Sequence, residues 1–178
     1  GTGKTTLSHM LCQGLGLLGQ RSVCVLTDTH REPLDPDGRR YLVADARTRE
    51  ALGKVVDKIR TLPGWMGVID GGGNRSEMDR KLYGLASLVL LPFRDSHEDI
   101  RTVVKDLEAF PRAWAIPSHW PTNPWQQEAA EKTIREAQDA LLSKEALDNA
   151  QGAAALGMNI KTCKQTIDGA NWTIRTLE

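Results

Sequence analysis

The stretch GTGKTTLSHMLCQGLGLLGQRSVCVLTD, residues 1–28, decides how the chain is read. Gly3, Lys4 and Thr5 match the last three positions of the phosphate-loop pattern G-x-x-x-x-G-K-[ST]. Glycines in such a loop let backbone N–H groups converge on phosphate oxygens, and the helix that follows points its positive end at the anion. This chemistry assigns the β- and γ-phosphates to Lys4 and a Mg2+ to the Thr5 hydroxyl. A glycine-rich helix start without a ligand is the competing reading. The first glycine of the pattern would precede Gly1, and the strand that should feed the loop is expected to be absent from this chain.

The residues after the loop support a phosphate site. Leu7, Met10, Leu11, Leu15 and Leu18 recur at three- and four-residue steps, which predicts a helix from Lys4 to Leu18 ended by Gly19. RSVCVLTD (21–28) has the length and β-branched content of a buried parallel strand. THREPLDPDGRR (29–40) is a loop, YLVADA (41–46) a candidate short strand, and residues 49–62 a helix stopped by Pro63 and Gly64. WMGVID (65–70) reads as a strand and GGGNRSEMDR (71–80) as a flexible polar turn. LASLVLLPF (85–93), the most apolar run, is expected in mid-sheet.

Farther along, SHEDIRTVVKDLEAF (96–110) predicts a helix with Ser96 and Asp99 as a weak capping box. RAWAIP (112–117) is a strand, SHWPTNPW (118–125) a loop, and 126–149 a charged helix. GAAALGMN (152–159) breaks that pattern, and Ile160 to Leu177 carries a short heptad-like stripe. Strands alternating with helices imply an α/β fold built on parallel βαβ units. At 178 residues the chain is read as one domain, with 126–178 as its mainly helical C-terminal part.

A Mg2+ site needs a carboxylate at a neighbouring strand end, because the metal's remaining shell is mostly water held by an acidic group. Asp70 is placed for this, and the glycines after it would let a backbone N–H approach a γ-phosphate. A strand-ending aspartate that caps a turn is the alternative. Asp28 is read as ending a strand at the same sheet edge.

These segments, with VIDGGG (68–73) and LASLVLLPFRDSHEDIRTVVKDL (85–107), resemble in order and spacing the ParA/MinD group of deviant Walker A ATPases over residues 1–120. The resemblance implies a three-layer P-loop fold, a mainly parallel sheet with helices on both faces, ATP with Mg2+, and a homodimer closing around two nucleotides. It further implies a partner protein that stimulates hydrolysis and a role in plasmid or chromosome partition, or in plasmid transfer. By motif position Gly1, Thr2, Gly3, Lys4, Thr5 and Thr6 form the phosphate loop, Lys4 and Asp28 serve catalysis, and Thr5 and Asp70 hold the metal. His30 stands where the family has the second carboxylate of its Asp-x-Asp pair, which implies slowed water attack. The signature lysine would precede Gly1. The family's base-contacting asparagine has no match in AWAIPSHW (113–120), with Asn123 the nearest substitute. A P-loop kinase or ligase acting on a small molecule, and a non-hydrolysing adaptor, are the alternatives.

Charge excludes some functions. Lys+Arg and Asp+Glu are equal at 23 each, so no overall field draws the chain to nucleic acid or to an acidic membrane. The cations Arg39, Arg40, Arg47, Arg49, Lys54, Lys58 and Arg60 could line a DNA-binding face, but Asp45, Glu50 and Asp57 among them favour a solvated surface. Cys12, Cys24 and Cys163 are odd in number and widely spaced, against a disulfide framework or a zinc site. The longest apolar run falls well short of the roughly 18 residues of a membrane span, and a cytoplasmic protein is expected. Trp114, Trp120 and Trp125 are read as packing under a long loop.

Overall fold

The computed structural model describes residues 2–32, 35–72 and 76–144. Gly1, residues 73–75, Cys163, the end of the helix expected to reach Asn149, the break at 152–159 and the stripe from Ile160 to Leu177 lie outside the described residues. Two compact units result: one is Lys4–Leu82, and the other holds the described residues from Tyr83 to Lys144 and, from the other end of the sequence, Gly3.

The first unit runs α1 (Lys4–Leu17), β1 (Arg21–Leu26), β2 (Leu42–Asp45), α2 (Arg49–Thr61), β3 (Trp65–Asp70) and most of α3 (Ser76–Leu85). Its sheet has the order β2-β1-β3 and is parallel throughout. Leu26, the last residue of β1, lies opposite both Asp45 and Asp70. Side chains of β1 alternate between the two faces. Cys24 and Leu26 pack with Cys12 of α1 and with Tyr41, while Val23 and Val25 pack with Leu52 of α2 and with Met78 and Leu82 of α3. Helices therefore cover both faces of this sheet.

Helix α1 ends as its sequence predicts. Gly19 takes φ 76°, and Gln20 N–H donates to the Leu15 carbonyl at 2.9 Å while Gly19 N–H donates to that of Gly16 at 3.1 Å. This is a Schellman close, for which a glycine at the left-handed position is the usual choice. The buried face of α1, however, is not the leucine stripe. Met10 and Leu18 are 67% and 79% exposed, and the buried residues are Ser8 and Cys12. Ser8, Cys12 and Gly16 recur every four residues, so a line of small side chains lets the helix sit close to its neighbours. Ser22 Oγ of β1 donates to the Cys12 carbonyl at 3.2 Å. Close backbone approach has overridden the apolar period.

Helix α2 starts at Thr48, whose side chain accepts the Ala51 N–H at 3.1 Å, and carries Glu50 in its first turn with Lys58 and Arg60 in its last. The polar turn expected over 71–80 is corrected, because α3 begins at Ser76. Acidic Glu77 and Asp79 in its first turn favour a helix, and Met78 and Leu82, four apart, pack against the first unit's core.

The second unit contains β4 (Val89–Phe93), α4 (His97–Ala109), β5 (Ala113–Pro117) and α5 (Pro124–Lys144). Strands β4 and β5 are parallel. Phe93, Ile100, Val103, Val104, Leu107, Ala113, Ala115, Ile134 and Ala137 form its core, with Trp120 packed against it. The Ser96 side chain caps α4 by accepting the Asp99 N–H at 3.2 Å. The Asp99 carboxylate turns back to Arg94, not to Ser96, so the capping box is only half made.

Two expectations about sheets are corrected. Among the described residues the strands form sheets of three and two, and β4, expected in mid-sheet, pairs with β5 alone. Its apolar content is used instead on the face that meets α4 and α5, where Phe93 is buried. The strand from 21 ends at Leu26, so Asp28 lies two residues beyond it. Among the described residues no helix is long and apolar enough to cross a membrane.

The close packing of α1 is testable at two glycines. A Cβ at Gly16 would stand 2.5 Å from the Arg40 carbonyl oxygen, whereas nothing lies within 4 Å of one at Gly14. Gly14→Ala should stabilise the protein by up to about 1 kcal/mol through helix propensity. Gly16→Ala should destabilise it by about 1–3 kcal/mol through overpacking. Urea midpoints that rise equally for both would remove the packing argument.

Candidate functional site

Helix α1 runs back along the parallel strands, since it precedes β1 through a tight close. Its 14 residues span about 21 Å, and the six of β1 about 20 Å, so the N-terminus of α1 comes level with the C-terminal ends of β1 and β3. Lys4, Thr5, Thr6, Asp28 and Asp70 thus belong to one end of the first unit.

The first turn of α1 is electrostatically the reverse of its neighbours. Helices α2 and α3 of the same unit carry Glu50 and Glu77 with Asp79 in their first turns, each complementing the helix dipole, whereas α5 of the other unit, like α1, has no acid there. Helix α1 has no acid there and begins with Lys4. A cation at that end costs on the order of 0.3–1 kcal/mol, a cost that a bound anion would reverse. Thr5 is half-buried and Thr6 exposed. In the other unit Gly3 takes φ 83°, a backbone conformation natural to glycine, and a Cβ on it would lie 3.6 Å from the His119 ring. Thr2 is half-buried, and Gly1 falls outside the described residues.

Asp70 is the most unusual side chain of the site. It is only 2% exposed, and both carboxylate oxygens lack a hydrogen-bond partner. Its backbone is firmly held by Thr27, whose hydroxyl donates to the Asp70 carbonyl at 2.8 Å and accepts the Gly72 N–H at 3.3 Å. Thr27 N–H also donates to that carbonyl at 3.3 Å. The alternative role for Asp70, capping its own turn, is therefore filled by Thr27 instead, and the carboxylate is left over.

Asp28 is engaged locally. One oxygen accepts the His30 N–H at 3.0 Å, and the other lies 3.4 Å from Arg31 Nε. The His30 side chain is exposed.

Three residues without a sequence motif of their own complete the site: Thr27, His9 and Tyr41. His9 stands four residues after Thr5, on the same side of α1. Its Nδ1 is 2.7 Å from the Tyr41 hydroxyl, to which Arg39 also donates at 2.6 Å. Burial, then the Arg39 charge, hold the His9 ring below its ordinary pKa against the opposing pull of Asp70. A histidine in helical register with Thr5 is the available signal, but its meaning depends on Tyr41, which is 32 positions away.

Other candidates are resolved differently. Asn123 is the N-cap of α5: its side chain accepts the Trp125 N–H at 2.9 Å and its carbonyl the Gln127 N–H at 3.0 Å. Pro124 follows at the first helical position, where its missing N–H costs nothing. Of Trp114, Trp120 and Trp125, Trp120 packs on the core, but Trp114, in β5, is 40% exposed and Trp125 81%. Arg47, Arg49 and Lys54 pair with Asp45, Glu77 and Glu50, which makes the supposed basic face a mixed one.

Among the described residues no three or more His, Cys, Asp and Glu side chains gather where they could hold a metal ion. Mg2+ does not ask for such a cage, since it takes one or two carboxylates with phosphate and water. A buried carboxylate with two unpartnered oxygens, at the end of the unit where α1 begins, fits that demand. No protein-family model matches the chain, and no curated protein matches it.

An uncompensated buried carboxylate should weigh on the ligand-free protein. Asp70→Asn is expected to raise its stability by on the order of 1–3 kcal/mol, because the charge is removed while the shape is kept. Thermal melts in chelator that show a lower midpoint for the variant would mean that Asp70 is satisfied in solution.

Proposed function

We propose that this chain is an ATP-binding, slowly hydrolysing nucleotide switch of the ParA/MinD kind. The observation that carries the reading is the buried Asp70 carboxylate, unpartnered at the sheet end where α1 begins with Lys4. In this reading the α1 N-terminus and Lys4 bind the phosphates, and Thr5 and Asp70 hold Mg2+. Mg2+, when bound, supplies positive charge to the phosphate oxygens. Thr27 keeps the Asp70–Gly72 backbone in place, so that a ligand meets a site already formed.

Slow turnover is supported by the surroundings of Asp28. Both of its oxygens are occupied by its own loop, and His30 cannot serve as the second carboxylate. The homodimer, the hydrolysis-stimulating partner and the role in partition or plasmid transfer rest on the family resemblance. The paired cations of the α2 region give no reason to add DNA binding.

Calorimetry with ATP and Mg2+ tests the proposal. Lys4→Ala should weaken binding tenfold or more, since a charge-assisted contact worth about 1.5–3 kcal/mol is lost. Unchanged affinity would overturn the phosphate assignment, and turnover that requires an added acceptor would favour a kinase or ligase. His30→Asp restores a carboxylate beside Asp28 and should raise the rate of ATP hydrolysis; a rate equal to that of the parent would take position 30 out of the chemistry.

A further inference from the structure

Five buried side-chain atoms among the described residues lack a hydrogen-bond partner, and three of them are His9 Nε2 and the two oxygens of Asp70. His9 and Asp70 sit on elements that pack together, and the Asp70 charge reaches the His9 ring. A buried donor and a buried acceptor left unmet on two elements that pack together point to something shared between them.

The hydrogen-bond chain decides which of the two is the donor. Arginine has donors only, so the Tyr41 oxygen accepts from Arg39 Nη1. The buried Tyr41 hydroxyl then has one proton to give, and the His9 Nδ1 is its partner. A neutral imidazole that accepts at Nδ1 carries its proton on Nε2. The opposite tautomer would leave the Tyr41 proton without an acceptor and set a bare Nε2 lone pair in the field of Asp70, both unfavourable. The ring is held neutral near pH 7 by burial and by Arg39.

We propose that His9 is the positioning residue of Asp70: its Nε2–H, fixed by the Arg39–Tyr41 chain, holds a water against the Asp70 carboxylate and orients it for the metal. Neither side has a partner at hydrogen-bonding distance, so the link is a water and not a direct bond. A buried water needs two to four polar partners, and His9 with Asp70 supplies them. Residues that orient a metal-binding carboxylate typically change metal affinity 10–100-fold when removed. The role in metal binding rests on the Mg-nucleotide reading above, whereas the His9 tautomer and its link to Asp70 do not.

Two measurements on the full chain test this. The first is made without nucleotide or metal, by long-range 1H–15N correlation of the histidine rings near pH 7.5. It should show His9 as the Nε2–H tautomer, with signals that move in Asp70→Asn and a changed tautomer balance in Tyr41→Phe. A predominant Nδ1–H or cationic ring, or a His9 signal indifferent to Asp70→Asn, would overturn the proposal. The second compares ATP affinity with and without Mg2+. His9→Ala should lose about tenfold of the Mg2+-dependent gain while keeping metal-free affinity. His9→Gln, which keeps an N–H at the Nε2 reach, should restore most of it. Equal gains in parent and His9→Ala, or equal losses in His9→Ala and His9→Gln, would remove the positioning role. If the parent binds no ATP, the nucleotide reading and the metal role fall together, and the tautomer measurement alone decides the link between His9 and Asp70.

Discussion

Strand β1 is bonded along both edges and buried on both faces, and the first unit is arranged around that fact. Cys24 and Val25 are wholly inaccessible and Leu26 nearly so. Backbone N–H and C=O groups at such positions must be paired, because each one left unmet costs on the order of 1–3 kcal/mol. Strands β2 and β3 meet the demand in parallel register, which sets Leu26 level with Asp45 and Asp70. Pairing continues past the strand, where Ala46 N–H donates to the Leu26 carbonyl at 2.8 Å and Thr27 clasps Asp70 and Gly72. The level at which the candidate site lies is set by this ladder.

Against so much satisfied backbone, the Asp70 carboxylate stands out as a place where stability has been given up. Natural chains break their local rules chiefly at functional positions, and an unpaired buried charge is among the more costly ways of doing so. Lys4 at the start of α1 is a second, smaller departure, and it has the opposite charge at the same end of the unit. His9 is a third. On the proposed reading, a metal with its waters would meet the requirements of the carboxylate and the orphaned imidazole.

Much of the architecture is legible along the chain. Alternating strands and helices, the glycine close of α1, the Ser96 helix start and the Pro63–Gly64 stop all arise from local chemistry, and each occurs in the structure. Helix α3 is hidden behind the glycines at 71–73, although Glu77, Asp79 and the Met78–Leu82 spacing are its own start and packing signals. The buried side of α1 is hidden for a different reason. Periodicity reports where leucines are, but the helix packs through Ser8, Cys12 and Gly16, where small size permits contact.

By itself the sequence determined the α/β class and, α3 apart, the order of the elements, and it singled out Lys4, Thr5 and Asp70 as the residues proposed for phosphate and metal. These depend on spacing and residue type, which are local along the chain. Tertiary structure alone decided that the Asp70 carboxylate is buried and unpartnered. It also supplied the Tyr41 and Arg39 partners from which the His9 tautomer is inferred, and the Thr27 clasp across 43 positions. Burial and hydrogen-bond partnership are properties of what surrounds a side chain, and those surroundings are assembled from strands and helices distant in sequence.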